Sequence, residues 1–210
     1  MPFIRLFVKN LKAMLEFHLL LYYSLDMKLR ILGDEVLRQR AEALVDINDE
    51  TRQLVKAMFI TMDEAKGVGL AAPQIGLSQR LFVLRSDDDI DRVFINPHII
   101  ATSQETCSFE EGCLSVPQIY AEVERPEKIT VQALDEHGKP FTLEAEGYLA
   151  RIIQHEYDHL EGVLFIDRLD PELKEEAEKT IARREEKKAE REKEKARKKA
   201  KLEAAKESNR

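Results

Sequence analysis

Residues 155–159 read His-Glu-Tyr-Asp-His, and this short pattern constrains the fold more than any other feature of the chain. On a helix, positions four residues apart lie on one face, so His155 and His159 could bind a single metal ion. Glu156 would then lie beside the open side of the metal, where a carboxylate can take a proton from a bound water. The pattern is preceded by the apolar residues Leu149, Ala150, Ile152 and Ile153. A buried histidine pair without a metal would need hydrogen-bond partners that apolar neighbours cannot supply. The sequence therefore predicts a partly buried helix with a metal site; the alternative is a pair of solvated histidines.

A third candidate ligand is Cys113, within the run Glu-Gly-Cys-Leu-Ser at residues 111–115. Two imidazoles and one thiolate leave a fourth coordination position open, which is typical of catalytic metal sites and not of closed structural ones. The chain has only two cysteines, Cys107 and Cys113, too few for a secreted disulfide scaffold, so we predict reduced thiols and a cytoplasmic protein. The alternative for Cys113 is a small buried apolar residue. The neighbouring glycine and serine favour a tight loop there over a core strand.

The net charge of −7 is unevenly distributed. The last 40 residues, from Pro171, contain 15 Lys and Arg and 11 Asp and Glu, a net charge of +4 that leaves −11 on the preceding 170. We predict a globular domain over residues 27–170 and a charged tail over 171–210 that is helical or disordered. The pairs Glu175 with Lys179 and Glu194 with Lys198 have the spacing that stabilises a helix. A solvated tail is the simplest interpretation, and its basic excess makes an RNA-rich surface the main functional alternative.

Residues 1–26 begin basic and become apolar, but Glu16 and His18 interrupt the apolar run. The run is too short and too interrupted for a stable membrane span, and it lacks the cleavage site of a signal peptide. Met27 begins a typical globular sequence, so we interpret residues 1–26 as an extension that precedes the true start. The alternative is an interfacial helix, because Phe3, Ile4, Phe7, Val8 and Leu11 recur at helical spacing.

Hydrophobic periodicity predicts an α+β fold without βαβ alternation. Pro97 and His98 predict a break between two strands, and residues 67–76, with three glycines and a proline, permit close backbone approach to a ligand. No Lys-Ser or Lys-Thr follows these glycines, so we predict no nucleotide cofactor. The predicted helices cover residues 35–40 and 48–66, and the predicted strands cover 80–84, 93–95, 99–101, 129–134 and 141–145, with a hairpin turn at 135–140.

Three segments together resemble the signature motifs of bacterial peptide deformylases: Gly-Val-Gly-Leu-Ala-Ala-Pro-Gln at 67–74, Glu-Gly-Cys-Leu-Ser at 111–115 and Gln-His-Glu-Tyr-Asp-His at 154–159. The resemblance covers roughly residues 28–169. It implies antiparallel β-sheets packed around the central helix, with a C-terminal helical extension. The implied activity is removal of the formyl group from the N-terminal formyl-methionine of nascent polypeptides, with release of formate. The implied cofactor is one Fe²⁺ per chain, for which Zn²⁺, Ni²⁺ or Co²⁺ could substitute.

The resemblance also implies roles for individual residues. Cys113, His155 and His159 would hold the metal, and Glu156 would act as general base and then as general acid. The side-chain amide of Gln74 and the backbone N–H of Leu114 would stabilise the oxyanion. At Tyr120 the sequence departs from the family, which often has a basic residue there. The candidates for binding the peptide and its methionine side chain are Val68, Gly69, Gly112, Phe109, Ile152 and Ile153, whose apolar members could equally be ordinary core.

Glu111 could pair with Arg125 to brace the cysteine loop, and the alternative is a surface ion pair of little energetic value. Two other functions compete with the deformylase. A zinc endopeptidase would need a third ligand downstream of His159. None of the carboxylates between His159 and the tail is clearly placed on the metal-binding face. An RNA-binding or ribosome-associated protein without turnover is disfavoured by the intact Glu156 and Gln74. The expected partners are nascent formyl-methionyl polypeptides and, through residues 171–210, the ribosome.

Overall fold

The computed structural model describes residues 27–207, and the predicted N-terminal extension lies outside them. The chain divides into two compact units between Arg168 and Leu169. Within the described residues, no helix combines the length and apolar character needed to cross a membrane.

The first unit contains two α-helices and seven β-strands. The helices are α1 (Asp49–Glu64) and α2 (Gly147–Leu160). The strands are β1 (Gly69–Ala71), β2 (Leu81–Arg85), β3 (Asp91–Thr102), β4 (Thr106–Cys113), β5 (Val116–Pro126), β6 (Lys128–Leu134) and β7 (Pro140–Glu146). Short 3-10 helices cover Glu35–Arg38, Ala72–Ile75 and Phe165–Arg168.

All strand pairs are antiparallel, and the strands form a five-stranded sheet of order β1-β2-β3-β6-β7 and a separate β4–β5 hairpin. Successive side chains of a strand point to opposite faces, so β2 contributes to two cores. Phe82 and Leu84 pack in one core with Ile153 of α2, while Leu81 and Val83 pack in the other with Met58 of α1. The predicted α+β fold, with antiparallel sheets around the central helix, is confirmed.

The predicted strand break at Pro97 and His98 is wrong. Residues Asp91–Thr102 form one strand, and its pairing register with β6 shifts between Ile95 and His98. A β-bulge accommodates the missing N–H of proline without ending the strand.

The hairpin of β4 and β5 was missed. Cys113 ends β4, and a turn at Leu114 and Ser115 leads into β5, so the predicted tight turn exists but lies between two strands. The inward positions of this hairpin include the charged residues Glu111 and Arg125, which are both buried. Because charged residues occupy inward positions, the sequence does not show the alternation of apolar and polar residues that usually indicates a strand.

The second unit is dominated by one helix, α3 (Pro171–Glu207), which is the helical alternative predicted for the tail. Both predicted ion pairs are present, with Lys179 Nζ 2.5 Å from Glu175 Oε1 and Lys198 Nζ 2.7 Å from Glu194 Oε1. Because few residues of this helix are apolar, ion pairs of this kind stabilise the turns in which they occur, and core packing contributes little.

Candidate active site

Helix α2 carries the His-Glu-x-x-His pattern with one side packed into the core. Ile153 and Leu160 are fully buried there, and Glu156 and His159 are only 3% and 1% exposed. Because His155 and His159 are separated by four residues, both rings lie on one face, with centroids 5.1 Å apart. The end of β4 brings Cys113 to the same place.

The three predicted ligands come together in space. One ligand atom from each of Cys113, His155 and His159 lies within 4.8 Å of the others, and Cys113 Sγ is 3.3 Å from His159 Nε2. A tetrahedral ion with bonds of about 2.0–2.3 Å places its ligand atoms roughly 3.3–3.8 Å apart. The observed cluster is therefore the right size for one ion, and no other such cluster occurs among the residues whose side chains the structure describes.

An unsatisfied polar atom beside this cluster also fits a bound group. Glu156 Oε2 is buried and lacks a hydrogen-bond partner among the described residues. A buried polar atom without a partner is costly, so in proteins it usually meets a ligand, ion or water. A sulfur and two nitrogens form a donor set that suits Zn²⁺, Fe²⁺ or a similar transition metal.

Glu111 orients His155, the first of the candidate histidine ligands. Its Oε2 lies 2.8 Å from His155 Nδ1, so the other ring nitrogen, Nε2, is the one that could bind a metal. Arg125 binds Glu111 through two hydrogen bonds of 2.6 and 2.9 Å, and its Nη1 lies 2.6 Å from Asp158 Oδ2. The Glu111–Arg125 pair considered from the sequence is thus present, and the surface alternative is wrong because both side chains are at least 96% buried.

Two members of this charged network, Arg151 and Asp158, were not identified from the sequence. Arg151 Nη1 donates to Glu111 Oε1 at 2.9 Å, and its Nη2 donates to the backbone oxygen of Cys107 at 2.6 Å. Arg151 precedes His155 by one helical turn, and a charged residue on an otherwise apolar face was the available signal. Asp158 occupies a variable position of the metal-binding pattern and gave no signal.

Burial and neighbouring charges shift the ionisation of the site. Burial opposes the charged form of Glu111, but hydrogen bonds from Arg125 and His155 hold its pKa well below the ordinary value. Burial raises the pKa of Glu156 to about 7, against the opposing effect of His155. Burial and the charge of His155 lower the pKa of His159. A carboxyl group with a pKa near neutrality can both accept and return a proton.

Gln74 is held with its amide nitrogen towards the cysteine. Its Oε1 accepts a 2.7 Å hydrogen bond from the Ala71 N–H, so its Nε2 faces Ser115 Oγ at 3.3 Å and Cys113 Sγ at 3.5 Å. The side chain is 1% exposed, which fixes this orientation. Ser115 belongs to the cysteine motif, but its contact with Gln74 was not expected.

A cleft of about 630 Å³ opens onto these groups. It is bordered by β1, an edge strand of the sheet, where a Cβ added to Gly69 would lie 2.3 Å from Glu156 Oε1. Glycine is thus needed there for the carboxylate to keep its place. The predicted residues that line the cleft are Val68, Gly69, Gln74, Phe109, Gly112, Cys113, Leu114, Ile152, His155 and Glu156.

Exposed apolar side chains concentrate in this cleft. Val68 is 44% exposed and Phe109 is 52% exposed, and the Phe109 ring lies 6.0 Å from that of Tyr148. Clustered exposed apolar groups usually mark a binding site. Ile153 is instead fully buried, so it is an ordinary core residue and not part of the cleft.

An α+β fold with a cysteine, two helix-borne histidines and an adjacent glutamate in a cleft defines a metal-dependent hydrolase. The family model for polypeptide deformylase matches residues 27–175. The chain belongs to this family, which is metal-dependent and removes the N-formyl group from nascent polypeptides. The predicted enzymatic activity is confirmed, and the endopeptidase and non-catalytic alternatives are not retained.

Individual relatives agree with this assignment. The chain is 48% identical over 151 residues to a peptide deformylase of Treponema pallidum, which covers 72% of the chain and 93% of that protein. It is 54% identical over 140 residues to peptide deformylase 1 of Clostridium perfringens, covering 66% and 95%. The crystal structure of a peptide deformylase from Legionella pneumophila superimposes with a TM-score of 0.72 at 44% identity, covering 77% of this chain and 96% of that one.

Proposed function

We propose that this chain deformylates nascent polypeptides at one metal ion held by Cys113, His155 and His159. The observation that supports this most directly is the convergence of three potential ligand atoms within 4.8 Å. Beside them lies a carboxylate oxygen of Glu156 that has no hydrogen-bond partner among the described residues. When bound, the metal supplies Lewis-acid activation of a water molecule.

The residues around the ligands divide the remaining work. Glu156 accepts the proton that the attacking water loses and later returns it to the departing amine. Gln74 Nε2 and the Leu114 N–H donate hydrogen bonds to the formyl oxygen as negative charge develops on it, each contributing about 3 kcal/mol as in comparable sites. The fixed orientation of Gln74 supports its role, because its donor need not reorganise during the reaction.

The peptide binds as an added strand between the glycine-lined edges of β1 and β4. Gly69 and Gly112 let the peptide backbone approach, and the first side chain enters the apolar part of the cleft. Val68, Phe109 and Ile152 line that part. A pocket of this kind suits methionine, which is unbranched and adaptable.

We propose Fe²⁺ as the native ion, with Zn²⁺, Ni²⁺ and Co²⁺ as substitutes. The thiolate of Cys113 neutralises one of the two metal charges, which suits a borderline-soft ion but exposes an iron site to oxidation. We also propose a cytoplasmic location, since the substrates are nascent chains and both cysteines are free in the structure.

Protein purified without oxygen and loaded with Fe²⁺ should release formate from formyl-Met-Ala-Ser. Acetyl-Met-Ala-Ser should react far more slowly, because a methyl group would replace the formyl hydrogen. Formate is measured enzymatically, and metal content by mass spectrometry. Equal rates on the two peptides, or no formate from the first, would contradict the proposed activity.

We further propose that helix α3 binds the ribosome through its basic end. Deleting residues 171–210 should abolish cosedimentation with ribosomes at low salt, because phosphate contacts dominate such binding. Full-length protein with Arg191, Lys193, Lys195 and Arg197 changed to Gln should lose binding likewise, whereas Gln at Glu186, Glu190 and Glu192 should not weaken it. Unchanged cosedimentation after the deletion would refute this partner.

A further inference from the structure

The hairpin of β4 and β5 presents an acidic surface at the mouth of the cleft. We propose that this surface makes the enzyme favour formyl peptides with a basic residue directly after methionine and disfavour acidic ones. The inference rests on the proposed deformylase function and names a substrate preference of the same site. We call the surface the outer face; its members are Ser108, Glu110, Gly112, Tyr120, Glu122 and Glu124.

The pairing register places these residues on one side of the hairpin. Directly opposed residues of antiparallel strands share a face, and the pairs here are Ser108 with Glu124, Glu110 with Glu122 and Gly112 with Tyr120. The alternate residues of the strands, including Glu111, Val123 and Arg125, are buried on the other side. Three exposed carboxylates therefore lie side by side on the outer face.

No basic side chain forms an ion pair with these carboxylates among the residues whose side chains the structure describes. Glu122 and Glu124 accept hydrogen bonds from the hydroxyls of Ser108 and Thr106. Like charges directly opposite each other, as in Glu110 and Glu122, destabilise a hairpin. The outer face thus keeps an unbalanced negative potential that a cation from outside would relieve.

Tyr120 extends this surface towards the cleft. Its side chain is 67% exposed, and a Cβ added to Gly112 would lie 2.6 Å from its Cε1, so the ring crosses β4 above that glycine. The position of the Tyr120 ring could be explained by its covering the backbone of Gly112. That explanation does not account for the carboxylates on the same face. Glu110, Gly112 and Tyr120 all line the cleft, so the surface is within reach of a bound peptide.

Strand geometry then selects which substrate residue meets the outer face. Successive side chains of a bound peptide strand point to opposite sides. If methionine points inward to Phe109 and Ile152, the next side chain points outward to Glu110 and Tyr120. A lysine or arginine there gains attraction to the carboxylate and to the aromatic ring, whereas an acidic side chain is repelled.

The test compares kcat/KM of the Fe²⁺-loaded full chain for formyl-Met-Lys-Ser, formyl-Met-Gln-Ser and formyl-Met-Glu-Ser. We expect the lysine peptide to exceed the glutamate peptide by about tenfold at low salt, with the difference shrinking towards unity at about 0.5 M salt. Glu110→Gln and Tyr120→Arg should each reduce the ratio to about threefold or less. The first variant removes one negative charge from the surface, and the second adds one positive charge. Glu144→Gln removes an exposed strand carboxylate that does not line the cleft, and it should leave the ratio unchanged.

A ratio within twofold of unity in the wild type would overturn the inference, as would a tenfold ratio that survives Glu110→Gln and Tyr120→Arg. Either result leaves the deformylase function intact if the glutamine peptide is hydrolysed. Failure to hydrolyse any of the three peptides would instead refute the proposed function and the preference with it.

Discussion

Replacing Glu156 with alanine should lower kcat for formyl-Met-Ala-Ser by about 10³-fold or more, with the metal still bound. Glu156 is not one of the three converging candidate ligands, and its Oε2 is buried beside them with no hydrogen-bond partner among the described residues. Two other carboxylates line the cleft: Glu110 is exposed on the outer face of the hairpin, and Glu111 is engaged by Arg125, Arg151 and His155. The variant therefore loses its proton acceptor and keeps its metal site.

Glu156→Gln serves as the closer comparison, because it keeps the shape of the side chain and removes only the proton-accepting carboxylate. Both variants should retain one metal per chain by mass spectrometry, and Glu64→Gln, an exposed change on α1, should have wild-type activity. Rates of either Glu156 variant within tenfold of the wild type would exclude Glu156 as the base. Loss of metal from both variants would show instead that the residue holds the ion.

The candidate site residues were more predictable from the sequence than the residues that hold them in position. The two candidate histidine ligands and Glu156 follow from local spacing, since positions 155, 156 and 159 lie within about one helix turn. Cys113 was a candidate ligand from its residue type and from the open coordination position that it leaves. The role of Gln74 required the resemblance, because nothing in a single sequence shows that distant segments meet. The support of His155 depends on Arg125 and Arg151, which come from β5 and α2, and only the folded chain brings them to Glu111.

In the fold, too, some elements follow from local sequence patterns and others do not. Strands β2, β6 and β7 carry apolar residues at strand spacing and were predicted from it. The β4–β5 hairpin was missed because its inward side contains an ion network where periodicity expects apolar residues. Such a departure from local rules is expected at functional positions, and here the buried ion network orients His155, a candidate metal ligand.

Replacing Arg125 with methionine should reduce the free energy of unfolding by about 3–5 kcal/mol. Arg125 is 2% exposed and contacts two buried carboxylates, Glu111 and Asp158. Without it, part of the compensation for each buried charge is lost, although Arg151 still contacts Glu111 and Arg168 still contacts Asp158. Methionine has a similar length, so the loss reflects charge more than volume.

Urea unfolding of the metal-free protein measures this effect without a contribution from metal binding. The control is Lys128→Met, which breaks the Lys128–Glu146 pair, whose side chains are 63% and 71% exposed. That exposed pair should be worth less than about 1 kcal/mol. If Arg125→Met cost no more than the control, the buried network would not stabilise the fold. Because Glu111 also orients His155, a large cost should be accompanied by weaker metal binding, which titration of the folded variant would detect.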